Sequence, residues 1–315
     1  MIPPELHIVF GAGQIGPHLA RLLRARGHGV RLVRRGTSPP LDGIPVVSGD
    51  AGDAAFATSA TEGASVIYHC MNPAYDTRVW AADLPRIATS LAAAAGRAKA
   101  RLVVLDNLYM HGRPTGPINE DTPAFPTSRK GEIRAQVADL LMDLHRSGVA
   151  RVVMGRASDF YGPGGTQSHF GDFFWPRVFA GKSAQLVMNP DSVHTYHFTR
   201  DVAAGLAVLG AAPDDAYGRW WMLPCASPET TRNMVGRLSF SLGRDIKVER
   251  VPGLMLATMG LFVPVVREQR EMLPQWEIPW VCDDRRFHAR FAGAATTLDE
   301  GAKLTTAWAR EHYGS

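Results

Sequence analysis

Three glycines near the start of the chain, Gly11, Gly13 and Gly16, have GxGxxG spacing within LHIVFGAGQIGPHLARLLRARG. They follow an apolar run typical of a buried strand and precede a helical pattern. In this context the first glycine permits a tight turn, the second lets the backbone approach a pyrophosphate, and the third lets helix and strand pack closely. Because helix N-termini attract anions, we predict a dinucleotide site here that includes Gln14 and Ile15. A glycine-rich turn without a ligand is the alternative.

The next predicted strand ends in GVRLVRRG, which places Arg34 and Arg35 at its carboxyl end. Enzymes that prefer NAD usually carry an acid at this point, where it bonds the ribose hydroxyls. A guanidinium group instead fits a ribose 2′-phosphate, so the pair predicts NADP(H) as the cofactor. A solvated pair of arginines is the alternative. Further along, SGDAGDAAF resembles a loop that lays an acid beside the adenine, with Asp50 as the candidate.

A sheet must position these residues, and the first half of the chain has the pattern of one. Short β-branched runs alternate with stretches rich in alanine and leucine, and the runs are LHIVF, GVRLVR, IPVVS, SVIYHC, RLVVLD and RVVMGR. This alternation predicts a parallel sheet with crossover helices, covered on both faces. The sequence therefore predicts an α/β fold built on a Rossmann-type, doubly wound parallel sheet.

The pattern changes after about residue 162, where glycine, proline and aromatic residues crowd together in YGPGGTQSHFGDFFWPRVFAG. A mixture of short strands and helices follows. We therefore predict a dinucleotide-binding Rossmann domain over residues 1–163, to which the chain returns at about 190–212. A smaller mixed α/β substrate domain is predicted over residues 164–189 and 213–315.

Composition limits the classes of function. The chain has 315 residues, and its 34 basic and 30 acidic residues give a net charge of +4. This small, scattered excess does not indicate nucleic acid as a partner and suits an anionic small molecule equally well. Cys70, Cys225 and Cys282 form neither a CxxC pair nor a zinc spacing, and no HxH or HxxxH pair accompanies a carboxylate on one helical face. We expect no metal and a reduced, cytoplasmic compartment.

Residues 251–266, VPGLMLATMGLFVPVV, raise the question of membrane contact. The stretch is shorter than a membrane span and is interrupted by two prolines and two glycines. We expect no membrane partner and a buried helix beside a pocket, and the N-terminus leaves no room for a signal peptide. With the aromatic stretch that follows, the segment favours a moderately apolar substrate over a sugar nucleotide. An ordinary packed helix is the alternative.

Together, several motifs resemble the extended short-chain dehydrogenase/reductase superfamily, which includes nucleotide-sugar epimerases and dehydratases. Besides the glycine motif they are SVIYHCMNP, LDNLYMHG, PINEDTPAFPTSRKG, RASDFYGPG and HTYHFTRDVAAGLAVL. The resemblance implies a Rossmann-type domain, a small C-terminal substrate domain, and a cleft between them in which a nicotinamide faces a small-molecule substrate. Dimers are common among related folds, so a homodimer is one expectation.

In this superfamily a Ser or Thr after the fifth strand polarises the substrate oxygen, a Tyr transfers the proton and a Lys holds the ribose. Matching the motifs places Asn107, Lys130 and Arg134 at these positions, so all three are substituted. Asn107 can still donate to a carbonyl oxygen. Arg134 can bond ribose hydroxyls but cannot relay protons. A shifted register would make Lys130 the usual lysine but would put Pro126 at the tyrosine.

Three residues are candidate proton donors under this resemblance. An ammonium group at Lys130, desolvated beside Arg134, could release its proton near neutral pH and act as a general acid. Tyr109 is a second candidate, with packing at the edge of a pocket as its alternative role. His111 is a third, and it could equally be a polar turn residue.

The sequence therefore predicts an NADPH-dependent reductase or dehydrogenase that acts on a carbonyl, imine or activated double bond of a moderately apolar small metabolite. Two alternatives stay open. One is a nucleotide-sugar epimerase or dehydratase, against which the missing Tyr and Lys weigh because oxidation of a sugar hydroxyl requires a base. The other is a catalytically silent NADP-binding sensor or regulatory protein, which the triple substitution would fit.

Overall fold

The computed structural model describes residues 4–314, except for the side chains of Leu254, Ala257, Met259 and Val265. The strands are β1 Leu6–Phe10, β2 Gly29–Arg34, β3 Val46–Ser48, β4 Val66–His69, β5 Arg101–Asp106, β6 Arg151–Arg156, β7 Phe160–Tyr161, β8 Ala184–Leu186, β9 Val193–His194, β10 His197–Phe198, β11 Trp220–Met222, β12 Glu229–Thr230 and β13 Val248–Arg250. The α-helices are α1 Gly16–Ala25, α2 Ala54–Ala60, α3 Thr77–Ala98, α4 Arg129–Arg146, α5 Trp175–Phe179, α6 Thr199–Gly210, α7 Thr231–Leu242, α8 Gly253–Phe262, α9 Pro264–Gln269, α10 Leu273–Trp276, α11 Arg285–Phe291 and α12 Leu298–Tyr313.

Within residues 4–314, seven strands form one parallel sheet in the order β11-β6-β5-β4-β1-β2-β3. The order runs outward from β1 through β2 and β3 on one side and through β4, β5 and β6 on the other. The strand order therefore reverses between β1 and β4, the point at which open α/β sheets bind ligands outside the carboxyl ends of their strands. The predicted α/β fold with a Rossmann-type parallel sheet is confirmed.

Every strand that the sequence predicts in the first half of the chain is present, and β1 and β4 show why. Residues 8–10 and 66–68 are 0% exposed. A strand covered on both faces has no solvent side for polar residues, so its sequence is almost continuously apolar. The local composition of these runs was therefore enough to locate the centre of the sheet.

Two compact units divide the chain. The first comprises the residues up to Leu108, Glu132–Ala157 and Val202–Leu223, and it contains the whole seven-stranded sheet. The second comprises Tyr109–Gly131, Ser158–Asp201 and the residues from Pro224 onward. Its short strands pair as β7 with β10, β8 with β13, and β9 with β12. The assignment of cofactor and substrate domains, with the predicted boundaries, stays a prediction.

Aromatic side chains form much of the core of the second unit. Phe170 and Phe174 contact edge to face with ring centroids 5.3 Å apart, and Phe174 contacts Trp175 in the same way at 5.0 Å. All three side chains are buried, whereas the neighbouring Phe173 is 75% exposed. The aromatic run that ends the Rossmann-like pattern in the sequence therefore serves mainly as the core of a second packed unit.

Residues 251–266 differ from the predicted buried helix. They contain α8 and the beginning of α9, which are separated because Pro264 starts a new helix. Leu261 and Phe262 at the end of α8 are 73% and 85% exposed, so the prediction of burial is wrong there. Among the described residues, no helix combines the length and the apolar character that crossing a membrane would need.

Candidate active site

The predicted glycine turn follows β1 and leads into α1. Gly11 has φ +113°, and a Cβ added to it would lie 2.7 Å from the carbonyl oxygen of Cys70. A Cβ at Gly16 would lie 1.7 Å from the carbonyl oxygen of Gly11. Both clashes are with backbone atoms that cannot move cheaply, so the turn accepts only glycine at these positions. At Gly13 an added Cβ would meet nothing within 4 Å, so this residue borders open space.

The N-terminus of α1 suits an anion. Its N-cap is Ile15, which offers no side-chain hydrogen bond to the first amide groups of the helix. Gln14 carries a buried Oε1 atom with no hydrogen-bond partner within residues 4–314, and this acceptor suits a ligand hydroxyl group rather than the anion itself. Unsatisfied helix amides beside open space at Gly13 fit a pyrophosphate group. The turn therefore brings the predicted glycines, Gln14 and Ile15 together in a geometry that suits a dinucleotide.

Arg34 and Arg35 lie beside this turn, because the Gly11 amide donates to the carbonyl oxygen of Val33 at 2.8 Å. Both arginines are exposed. Within the part of the chain that the structure describes, neither guanidinium group has an ion-pair partner; the Arg34 Nε donates only to the Arg35 carbonyl oxygen, at 3.3 Å. Both charges are thus available to a phosphate, and their preference for NADP stays a prediction.

Asp50 already has partners for both carboxylate oxygens. Its Oδ1 accepts from the Gly52 amide at 3.0 Å, and its Oδ2 accepts from Arg86 at 2.8 Å. The Gly52 hydrogen bond and the Arg86 pair hold the pKa of Asp50 below its usual range. Asp50 therefore anchors α3 to the loop after β3, and its predicted place beside an adenine stays a prediction.

Arg134 is the centre of a buried polar network at the carboxyl ends of the strands. From α4 its Nη1 donates to Asp106 at 3.3 Å and its Nη2 donates to Asn72 at 2.6 Å. Asp106 also accepts from the Nε of Arg156 at 3.0 Å, and the Arg134 guanidinium stacks 4.6 Å over the Trp80 ring. Arg134 is therefore held rigidly by partners on other elements, and its assignment to the superfamily's ribose-binding lysine position stays a prediction.

His69 ends β4 beside this network. It is 4% exposed, and its Nδ1 accepts from the Met71 amide at 3.2 Å. Burial, together with the nearby Arg134 charge, lowers the pKa of His69 to about 4. The imidazole is therefore neutral at pH 7. Neither His69 nor Asn72 is marked as a site residue by the SVIYHCMNP motif, because Arg134, which lowers the pKa of His69 and donates to Asn72, lies far along the chain on α4.

Lys130 has different neighbours from those expected. Its side chain is 0% exposed, and its Nζ donates to the Glu268 Oε2 at 2.5 Å, the Glu271 Oε1 at 2.6 Å and the Glu268 carbonyl oxygen at 3.2 Å. An ammonium group has three protons, and each now has an acceptor. Glu271 also accepts from the Arg129 amide at the start of α4, at 2.9 Å. This is the geometry of a structural ion pair, and the role of general acid stays a hypothesis.

The remaining candidates lie on the chain after β5. Asn107 follows the strand directly and is half-buried. Tyr109 begins the 3-10 helix Tyr109–His111 and packs against the aromatic core of the second unit. His111 is buried, with its Nδ1 3.2 Å from the Pro123 carbonyl oxygen, which suits a turn residue. Their catalytic roles stay predictions.

A cavity of about 750 Å³ lies within the second unit. It is lined by Arg113, Arg267, Arg270, Glu271, Leu273, Pro274, Glu277 and Ile278. The segment after residue 266 was predicted to give a largely apolar wall, whereas five of these eight residues are charged. Most of the lining surface is apolar, as expected, but it carries more charged groups than the few polar groups that the sequence predicted.

The charges in this cavity are unbalanced. Its two acids already have cationic partners: Glu271 pairs with Lys130, and Glu277 pairs with Arg250. Within residues 4–314 its three arginines have no ion-pair partner. The lining therefore has an excess of positive charge, which an anionic ligand would neutralise.

The paired environment of Lys130 gives a testable prediction. Replacing Lys130 by Met should lower the free energy of unfolding by about 3–5 kcal/mol, because two partly buried carboxylates lose their cation. The triple variant Lys130→Met, Glu268→Gln, Glu271→Gln should recover part of this loss. Urea unfolding checks both. Unchanged stability together with lost turnover would contradict the structural role and favour Lys130 as the general acid.

A second prediction concerns the loss of stability at low pH. The pKa of His69 falls from its ordinary 6.5 to about 4 in the folded chain, so the unfolded chain binds the proton more strongly. Stability should therefore decrease as the pH falls from 6.5 to 4, with His69 contributing roughly 3 kcal/mol. His69→Asn, which keeps an acceptor for the Met71 amide, should flatten this decrease in urea unfolding at several pH values. The exposed His312→Gln is the control, and equal profiles for both variants would refute the assignment.

Solved structures similar to this chain share its fold. A UDP-glucuronic acid 4-epimerase from Bacillus cereus, in complex with UDP-glucuronic acid and NAD, is 14% identical with a TM-score of 0.79, over 98% of this chain and 100% of that chain. The dTDP-glucose 4,6-dehydratase DesIV from Streptomyces venezuelae is 19% identical with a TM-score of 0.79, over 98% of both chains. A UDP-glucose 4-epimerase from Thermotoga maritima is 17% identical with a TM-score of 0.78, over 98% of this chain and 99% of that chain.

The family follows from the sequence match rather than from these distant structures. A comparison with curated proteins finds no match. The family model described as "NAD dependent epimerase/dehydratase family" matches residues 8–220, which include the glycine turn, Asn107, Lys130 and Arg134. The match covers more than half of the 315 residues. The chain therefore belongs to the NAD dependent epimerase/dehydratase family.

Proposed function

We propose that the protein is a nicotinamide-dinucleotide-dependent enzyme of the epimerase/dehydratase type that acts on a nucleotide-linked sugar. The cofactor is inferred from the glycine turn, where Gly13 borders open space and the N-terminus of α1 has no side-chain cap. A pyrophosphate group fits both features. The proposed epimerase or dehydratase activity differs from the reductase activity that the sequence alone favoured.

The substrate class is supported by the cavity in the second unit. Three arginines without ion-pair partners in residues 4–314 favour a ligand that carries phosphate groups. The similar structures from B. cereus and T. maritima were solved with UDP-glucuronic acid and UDP-glucose. A sugar linked to a nucleoside diphosphate would supply the charge that the cavity lacks.

The proposed cofactor is NADP(H). The preference for NADP(H) over NAD(H) rests on Arg34 and Arg35 alone, since the similar structures were solved with NAD. Once bound, the nicotinamide accepts or donates a hydride. Arg134, held by Asp106 and Asn72, would present a fixed guanidinium to the ribose hydroxyls. Its charge is permanent, so it orients the cofactor without moving a proton.

We assign proton transfer to Tyr109 and polarisation of the substrate oxygen to Asn107. The three protons of Lys130 are already donated to Glu268 and Glu271, whereas a phenol can both give and accept a proton. The Asn107 amide would donate to the substrate oxygen. Lys130 then supports the start of α4 and acts on the reaction only through position.

A reductase is the second candidate, and the proposed replacement of the superfamily's tyrosine by Lys130 favours it. Reduction of a carbonyl or imine needs a proton donor, whereas oxidation of a sugar hydroxyl needs a base. A silent sensor would bind the cofactor without turnover. Measuring cofactor binding and turnover separately distinguishes the three.

Cofactor preference is tested by fluorescence titration with NADPH and NADH. NADPH should bind at least about tenfold more tightly, which corresponds to about 1.4 kcal/mol. The double variant Arg34→Ala, Arg35→Ala should lose this preference while NADH binding is kept, and the exposed Arg146→Ala is the control. Gly13→Ala should weaken both cofactors without unfolding the chain, because the methyl group fills the open space. Binding of neither cofactor to the unaltered protein would refute the proposal.

Substrate class is tested with UDP-glucose as the probe, by calorimetry with the cofactor present. The double variant Arg267→Ala, Arg270→Ala should weaken binding at least about tenfold, since hydrogen bonds to charged groups contribute about 1.5–3 kcal/mol each. Arg232→Ala is the matched control, because Arg232 is an exposed arginine of the same unit already paired with Asp191. If UDP-glucose fails to bind although NADPH binds, the substrate class is wrong and the reductase becomes the better candidate.

A further inference from the structure

Three potential metal ligands meet at the amino ends of β1 and β2, at the opposite ends of these strands from the glycine turn. They are Glu5, His7 and His28. Parallel pairing aligns Leu6 with Gly29, and the Gly29 amide donates to the Glu5 carbonyl oxygen at 3.0 Å. This register places the residues before the two strands side by side. The ligand atoms of the three side chains all lie within 4.8 Å of one another.

His7 supplies the strongest indication that the group has a ligand. It is 3% exposed, and its Nδ1 lies 3.2 Å from the Tyr68 hydroxyl. Its Nε2 is buried and has no hydrogen-bond partner among residues 4–314, and the Glu5 Oε2 is 3.6 Å away. An unsatisfied polar atom in the interior costs free energy. The ring of His28 lies beside it, with the centroids 4.2 Å apart.

The surrounding residues orient these side chains as the outer partners of metal ligands do. Tyr68 engages the Nδ1 of His7, which leaves the Nε2 directed into the group. Arg101 pairs with the Glu5 Oε1 at 3.0 Å, which leaves the Oε2 on the side of His7. Second partners of this kind fix the tautomer of a ligating histidine and the direction of a carboxylate.

We propose that Glu5, His7 and His28 bind a divalent transition-metal ion of the zinc class. Two imidazoles and one carboxylate are a donor set that Zn²⁺ accepts, with water in the fourth position. Imidazole ligands select against Mg²⁺ and Ca²⁺, which prefer oxygen. The ion gives the buried Nε2 of His7 a partner and joins the starts of β1 and β2. Its role is structural, because it lies at the other end of the strands from the glycine turn.

The sequence predicts no metal, because no histidine pair has the spacing of ligands on one helical face. Glu5 and His7 are two residues apart, which places them on one face of an extended strand. His28 joins them only through the register between β1 and β2. This pairing is not visible in the spacing of the sequence.

The test is titration of the full chain with ZnCl₂ by calorimetry, together with thermal unfolding in the same solutions. We expect one Zn²⁺ per chain and an unfolding temperature that rises with Zn²⁺ concentration. Glu5 is exposed and His28 is partly buried, and Glu5→Gln and His28→Gln should each weaken binding at least about tenfold. His312→Gln, an exposed histidine on α12, should bind as the unaltered protein does.

The outcomes are separate from those for the proposed function, since neither cofactor nor substrate is added. Loss of Zn²⁺ binding and of the thermal shift in both variants supports the site. No binding to the unaltered protein overturns the proposal. Equal Zn²⁺ affinity and stoichiometry in the unaltered protein and in both variants, Glu5→Gln and His28→Gln, would also overturn it, since the ion would then lie elsewhere.

Discussion

The hydrogen bonds of the buried Asp106 carboxylate hold together the polar network at the carboxyl ends of the strands, where the cofactor is proposed to bind. Asp106 ends β5 and accepts hydrogen bonds from Arg134 on α4 and Arg156 on β6. Asn72 and the Trp80 ring add two further contacts to the Arg134 guanidinium. Removing one partner of such a group leaves an uncompensated buried charge, which is strongly destabilising. The network therefore fixes Arg134, and with it the proposed ribose contact.

Pairing decides which charges in this protein are available to ligands. Lys130 is surrounded by carboxylates and a carbonyl oxygen, so its charge is used within the second unit. Arg34, Arg35 and the cavity arginines have no ion-pair partners within residues 4–314 and are exposed. Counting basic residues in the sequence could not separate these two groups. The net charge of +4 hides a local excess in the cavity that favours a phosphate-bearing ligand.

The residues predicted at the superfamily's catalytic positions, Lys130 and Arg134, have partners that the sequence did not indicate. Arg134 carries a permanent charge on a planar guanidinium group that Asp106 and Asn72 hold from two sides. Lys130 forms an ion pair that supports the start of α4. Under the proposed function, Arg134 therefore orients the cofactor and Tyr109 is the proposed acid or base.

The sequence by itself determined the elements whose cause is local. The glycine turn, the six strands of the first half and the parallel sheet follow from spacing and apolar runs, because steric limits on the turn and burial of both strand faces act within a few residues. The tertiary structure decided what depends on distant partners. Glu268 lies 138 residues from Lys130, Asn72 lies 62 from Arg134, and His28 meets His7 only through strand register. Electrostatic and ligand-binding properties depend on distance in space, which the order of residues along the chain does not fix.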